Sequence, residues 1–150
     1  MPAKKYDRAF FLNVDLIVHS RSDLQPLVSA LGKRVRVLYL GRERRAYMTC
    51  LEVSGSGLAE NPEPTLRAFC KLIRGLPPSA RKLWFGARSR MFDIGIDSVP
   101  KGSYWFEISS ETVAELAKLK AKLAVTVYGK SKKVELPRKA LAAPSPTLDV

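Results

Sequence analysis

The chain has 150 residues, 46% hydrophobic and 27% charged, which suits one folded domain with a real core and excludes a disordered or collagenous polymer. Lys and Arg number 26 against 14 Asp and Glu, a net charge of +12 that is spread through all three thirds of the sequence and attracts polyanions. Cys50 and Cys70 stand alone, which excludes a disulfide framework, and the apolar run after "MPAKKYDRAF" is broken by Asn13 and Asp15, so a cytoplasmic protein without signal peptide or membrane span is expected.

After an N-terminal extension (1–9), "FFLNVDLIVHS" alternates as a strand with one buried face. Leu12, Val14, Leu16 and Val18 lie on that face, and Asn13, Asp15, Ile17 and His19 on the other. Ser22 is the expected N-cap of a helix carrying Leu24, Leu27, Val28 and Leu31, which Gly32 ends. "RVRVLYLG" reads as a second strand, with Val35, Val37 and Tyr39 opposite Arg34, Arg36 and Leu38. "GRER" is a charged turn and "AYMTCLEV" a third strand. Beyond the loop "SGSGLAENPEP", Thr65 is expected to cap a helix carrying Leu66, Phe69, Leu72 and Ile73. "GLPPSARKLWFGA" breaks it and adds a short helix.

"RMFDIGID" is a fourth strand, with Phe92, Ile94 and Ile96 inward and Asp93, Gly95 and Asp97 outward. "YWFEIS" reads as a fifth, with Tyr104, Phe106 and Ile108 inward and Trp105 and Glu107 outward. Ser110 then caps a last helix containing Val113, Leu116, Leu119 and Leu123, before a sixth strand, "LAVTVY". Residues 129–150 are basic, contain three prolines and lack periodicity, which predicts a flexible tail. The order βαββαβ followed by βαβ predicts an α+β domain over 10–128. It is a ferredoxin-like unit extended by a βαβ unit, with a mixed sheet of about six strands and helices on one face.

The opening strand and capped helix, "LRAFCKLIRGLPPSARKLW" before "FDIGID", and the ending "SSETVAELAKLKAKLAVTVY" resemble a bacterial family, the domain of unknown function 4279. The resemblance covers roughly residues 10–128. It implies a small cytoplasmic α+β domain and carries over neither an activity nor catalytic residues.

Helices on one side of a sheet leave the other side open, and alternation assigns that side Asn13, Asp15, His19, Arg36, Asp93, Trp105, Glu107 and Tyr128. Aromatic and paired charged residues on one face have the composition of a recognition surface. The expected function is therefore a non-enzymatic protein-interaction module of immunity or adaptor type, with Trp105 as anchor. A second reading is RNA or DNA binding. "KGSYWFEI" partly matches the aromatic motif of RNA-recognition domains, and Arg42, Arg44, Arg45, Lys118, Lys122, Lys132 and Lys133 are candidate polyanion contacts. A third is an enzyme or hard-cation site built on Asp15, Asp93 and Glu107. No H-E-x-x-H, P-loop or G-x-S-x-G pattern accompanies those acids, so no catalytic residue, metal ligand or cofactor is assigned. The partner expected first is a protein, then nucleic acid, then a second copy of the chain, with no membrane.

Overall fold

The alternating opening segment forms β1 (Phe10–Ser20), the central strand of a computed structural model that describes residues 9–56, 59–98 and 103–129. The N-terminal extension before residue 9 and the tail from 130, with Lys132 and Lys133, lie outside the described residues. Then follow α1 (Gln25–Leu31), β2 (Val35–Glu43), β3 (Ala46–Val53), α2 (Pro62–Arg74), α3 (Pro78–Gly86), β4 (Ser89–Asp97), α4 (Ser110–Lys118) and β5 (Lys122–Tyr128). The five strands form one mixed sheet in the order β2-β3-β1-β4-β5, antiparallel except for the parallel pair β4–β5. The protein is α+β, with four α-helices among the described residues. Among the described residues no helix is long and apolar enough to cross a membrane.

One sheet face carries the main core. Val14, Leu16 and Val18 of β1 and Phe92, Ile94 and Ile96 of β4 are buried with Leu27 and Leu31 of α1, Leu66, Phe69 and Ile73 of α2, Trp84 of α3 and Leu116 of α4. Trp84 is fully buried, its indole N–H donates to the Leu119 carbonyl at 2.9 Å, and its ring lies 6.5 Å from that of Phe92. The α2 and α4 N-termini are tied together by Glu63. Its Oε1 accepts from Ser109 Oγ at 2.6 Å and Thr112 Oγ1 at 2.7 Å, and its Oε2 accepts from the Ser109 N–H at 3.1 Å. Burial raises the Glu63 carboxyl pKa, but these hydrogen bonds outweigh it and hold the group below its usual range.

Two bulges correct the simple alternation. The β1–β4 register shifts between Phe11 and Asn13, so Phe11 is buried and Leu12 is exposed, the reverse of the expected arrangement. The β2–β3 register shifts between Val37 and Tyr39, which turns Tyr39 to the face away from the helices, against Cys50 and Met48.

Among the described residues the sheet has five strands, not six, because residues 103–109 pair with no strand. Their alternation is real but serves another surface. Tyr104, Phe106 and Ile108 pack against the main core, and the Tyr104 hydroxyl donates to the Glu60 carbonyl at 2.9 Å. β5 takes the place beside β4 instead.

Helix starts also differ from expectation. Asn61, not Thr65, caps α2, its side chain accepting the Glu63 N–H, and Thr65 is buried inside the helix. Ser109, not Ser110, caps α4. Leu24 occupies the cap position of α1 without a side-chain bond, while Asp23, not Ser22, accepts the Gln25 N–H. Gly32 ends α1 as expected, with φ 58°.

Candidate functional site

On the sheet face away from the helices, register builds a row of charged side chains across four strands. Arg36 of β2 opposes Glu52 of β3, and Asp15 of β1 opposes Asp93 of β4. The pairing of Leu16 with Leu51 sets Glu52 beside Asp15. Arg36 forms an ion pair with Glu52, its Nε donating to Oε2 at 3.0 Å. Asn13 Nδ2 donates to both Asp15 Oδ1 (2.9 Å) and Glu52 Oε1 (2.6 Å). Thr126 Oγ1 of β5 lies 2.8 and 2.9 Å from the two Asp93 oxygens. Gly95 makes room for this arrangement, because a Cβ there would stand 2.9 Å from Asn13 Oδ1.

Three carboxylates therefore share one row with a single guanidinium. Asp15 is 3% exposed, and burial, followed by the charges of Glu52 and Asp93, pushes its carboxyl up to about 7. Arg36 opposes that shift but is already engaged by Glu52. Burial also pushes the Cys50 thiol up to about 12, with Asp15, Glu52 and Asp93 adding to the effect, and it raises the Tyr128 phenol in the same way. The row can thus hold one proton near neutral pH on a nearly inaccessible carboxyl. Among the described residues no three His, Cys, Asp or Glu side chains converge so as to hold a metal ion.

The thiols beside and behind this row are inert by the same physics, since burial also pushes Cys70 up to about 11. Cys50 and Cys70 are expected to resist iodoacetamide at neutral pH in the folded protein and to react after denaturation. Mass spectrometry checks this, and rapid native labelling of either thiol would contradict the burial described.

The expected sheet-face residues divide into two groups. Asn13, Asp15, Arg36 and Asp93 come together, and Tyr128 borders them, its ring within 3.5 Å of a Cβ built on Gly95. His19 is on the same face but four residues along β1 from Asp15, about 13 Å away. Trp105 and Glu107 are not on the face at all. They are exposed on the non-strand segment 103–109, which packs its other side on the helix-side core. Glu52 takes the third acidic place that Glu107 was expected to fill. Its signals were present in sequence, two residues from Cys50 on the same face and across from Arg36, but they require the β2–β3 register.

The same register gathers positive charge at one end of the sheet. Glu43 pairs with Ala46, leaving Arg44 and Arg45 as a two-residue turn, with Arg44 at φ 53°. That hairpin tip, the end of β1 and the starts of β4 and β5 all lie at one edge of the sheet. Arg42, Arg44 and Arg45 come there from β2–β3, Arg88 from the approach to β4, and Lys118, Lys120 and Lys122 from the α4–β5 corner. The acids on these segments are Asp23 and Glu43. The ridge crosses four strand intervals, about 19 Å. Arg42 stacks over Tyr47 at 5.7 Å. Arg90 turns inward, donating to the carbonyls of Trp84 and Ala87 at 2.8 Å and of Lys120 at 3.0 Å, and so fixes the corner that presents Lys120 and Lys122.

A cleft of about 460 Å³ lies between α2 and α4, walled by Arg67, Lys71 and Arg74 on one side and Glu111 and Glu115 on the other. Its charges face each other, with Arg74 Nη1 3.5 Å from Glu115 Oε1. Comparisons with protein-family models, with curated proteins and with solved structures found no match for this chain.

Proposed function

We propose that this domain is a non-enzymatic binding module whose basic sheet end docks the backbone of single-stranded RNA or DNA. The observation that carries this reading is the register-driven gathering of Arg42, Arg44, Arg45, Arg88, Lys118, Lys120 and Lys122 along one edge, where few acids oppose them. A ridge about 19 Å long spans several phosphates, and such contacts bind without reading bases. Trp105, far from that edge in the fold, has no role here.

The test is fluorescence anisotropy of labelled single-stranded RNA and DNA at low and near-physiological salt. With four or five phosphate contacts at about 0.7 counterions each, log K is expected to fall with log salt at a slope of about −3. The triple variant Arg44→Glu, Arg45→Glu, Lys122→Glu is expected to bind at least ~10-fold more weakly, whereas Trp105→Ala binds as wild type. Absence of binding at low salt, or a triple variant that binds as well as wild type, would overturn the reading.

The carboxylate row favours a second reading, recognition of a protein through the open sheet face. With Asp15 protonated and Glu52 paired with Arg36, Asp93 is the one carboxylate of the row without a cation beside it among the described residues, so a partner whose basic side chain reaches in between the half-buried Asn13 and Tyr128 would complete the charge balance. The same proposal takes β1–β4 with α1 and α2 as a ferredoxin-like split βαβ unit. The order β2-β3-β1-β4, antiparallel throughout, supports this, and α4–β5 extends it. Cytoplasmic location and kinship with the domain of unknown function 4279 belong to the proposal as well and rest on sequence alone.

A further inference from the structure

The two edges of the sheet are built differently. The β2 edge is bulged at Leu38 and carries Arg36 and Arg42, both devices that discourage strand addition. The β5 edge has neither interruption nor internal charge, and its register with β4 runs unbroken from Lys122 to Tyr128. On the helix side of β5, Leu123, Val125 and Val127 are 43%, 51% and 61% exposed, although their β4 neighbours Phe92, Ile94 and Ile96 are core. The Tyr128 carbonyl accepts from the Ser98 N–H at 2.8 Å and so points toward β4. Alternation then turns the backbone N–H and C=O groups of Leu123, Val125 and Val127 outward, along an edge that no strand covers among the described residues.

The order of residues in β5 is self-complementary about Val125. Two copies laid antiparallel across a two-fold axis would place Val125 against Val125, Leu123 against Val127, Ala124 against Thr126 and Lys122 against Tyr128. Each aliphatic on the helix side meets an aliphatic, and no like charges oppose one another. On the other face, Lys122 of one copy approaches Asp97 of the second, which sits beside Tyr128 in the β4 register. We infer that this chain forms a symmetric homodimer by antiparallel β5–β5 addition, joining two sheets into one of ten strands. The inference is independent of the nucleic-acid reading, because oligomeric state is measured without ligand.

Seven residues a side make a small interface, so a monomer–dimer equilibrium in the range of tens of micromolar, roughly, is expected rather than an obligate dimer. Sedimentation velocity on the full chain, from about 1 to about 500 µM, measures it. Wild type is expected to move from monomer to dimer mass across that range. Val125→Lys, at a half-exposed position that the fold does not need, is expected to remain monomeric with an unchanged circular dichroism spectrum. An equimolar mixture of Val125→Lys and Val125→Glu is expected to dimerise again, because only a register that sets Val125 against itself pairs the two new charges. A monomeric wild type at the highest concentration, a Val125→Lys variant that dimerises like wild type, or a mixture that stays monomeric would each overturn the inference.

Discussion

Replacing Asp15 by asparagine is expected to leave stability unchanged near pH 3 and to raise it by roughly 4 kcal/mol above pH 8. Asp15 is 3% exposed among Glu52 and Asp93, and burial followed by those two charges lifts its carboxyl to about 7. The folded protein therefore holds a proton that the unfolded chain has already released. Between about pH 4 and 7, stability falls as pH rises, by up to about 1.4 kcal/mol for each pH unit. Well below pH 4 the group is protonated in both states and its effect vanishes. An asparagine preserves the shape: its oxygen accepts from Asn13 Nδ2 and its amide donates to Glu52 where the carboxyl proton did. Glu63, held low by its hydrogen bonds, has the opposite sign, its contribution being lost as pH falls. The difference between wild type and Asp15→Asn cancels it. Urea melts at several pH values measure that difference, and two curves that run parallel from pH 4 to 9 would contradict the burial of a charged Asp15.

Trp84→Ala is expected to cost about 3–5 kcal/mol, the usual range for emptying a large aromatic site in a core. Trp84 has no solvent exposure, packs on Phe92 under the sheet, and donates its indole N–H to the Leu119 carbonyl at the end of α4. The alanine variant loses the packing and leaves that carbonyl without its partner, so α3 and the α4–β5 corner loosen together. Trp84→Phe fills part of the space but cannot donate, and is expected to lose about half as much. Chemical denaturation followed by circular dichroism reads both, with the slope m unchanged if only stability alters. A loss under 1 kcal/mol for Trp84→Ala would mean the site collapses without cost and is not a core position.

Much of this fold is legible in the sequence because apolar alternation reports which face of a segment is buried. Phe92, Ile94 and Ile96 are core as the alternation requires, and Asp93 and Gly95 face away. Alternation reports burial, though, and not pairing. Tyr104, Phe106 and Ile108 bury one side with no strand partner, so Trp105 and Glu107 were assigned to a sheet they never join. A bulge is invisible to the same reasoning: one extra residue at Leu12 and another at Leu38 exchanged the faces of Phe11 and Tyr39. The carboxylate row was legible in half. Asp15 and Asp93 share a face by period two, whereas Glu52 joins them only through a cross-strand register. Arg42, Arg44, Arg45, Lys118 and Lys122 of the basic ridge were legible as candidate polyanion contacts, but their gathering at one end of the sheet was not, for the same reason. The +12 charge looks uniform along the chain and becomes polar only when strand ends are brought together.

Nitrogen-15 chemical-shift mapping of the full chain with a short single-stranded oligonucleotide tests the central claim most directly, because it locates binding as well as detecting it. Perturbed amides are expected at 42–47, at 88–90 and at 118–123, with the carboxylate row around Asn13, Glu52 and Asp93 unmoved and the shifts fading as salt rises. Shifts centred on Asn13, Glu52 and Tyr128, on Trp105, or nowhere at all would contradict a nucleic-acid interface at the basic end of the sheet.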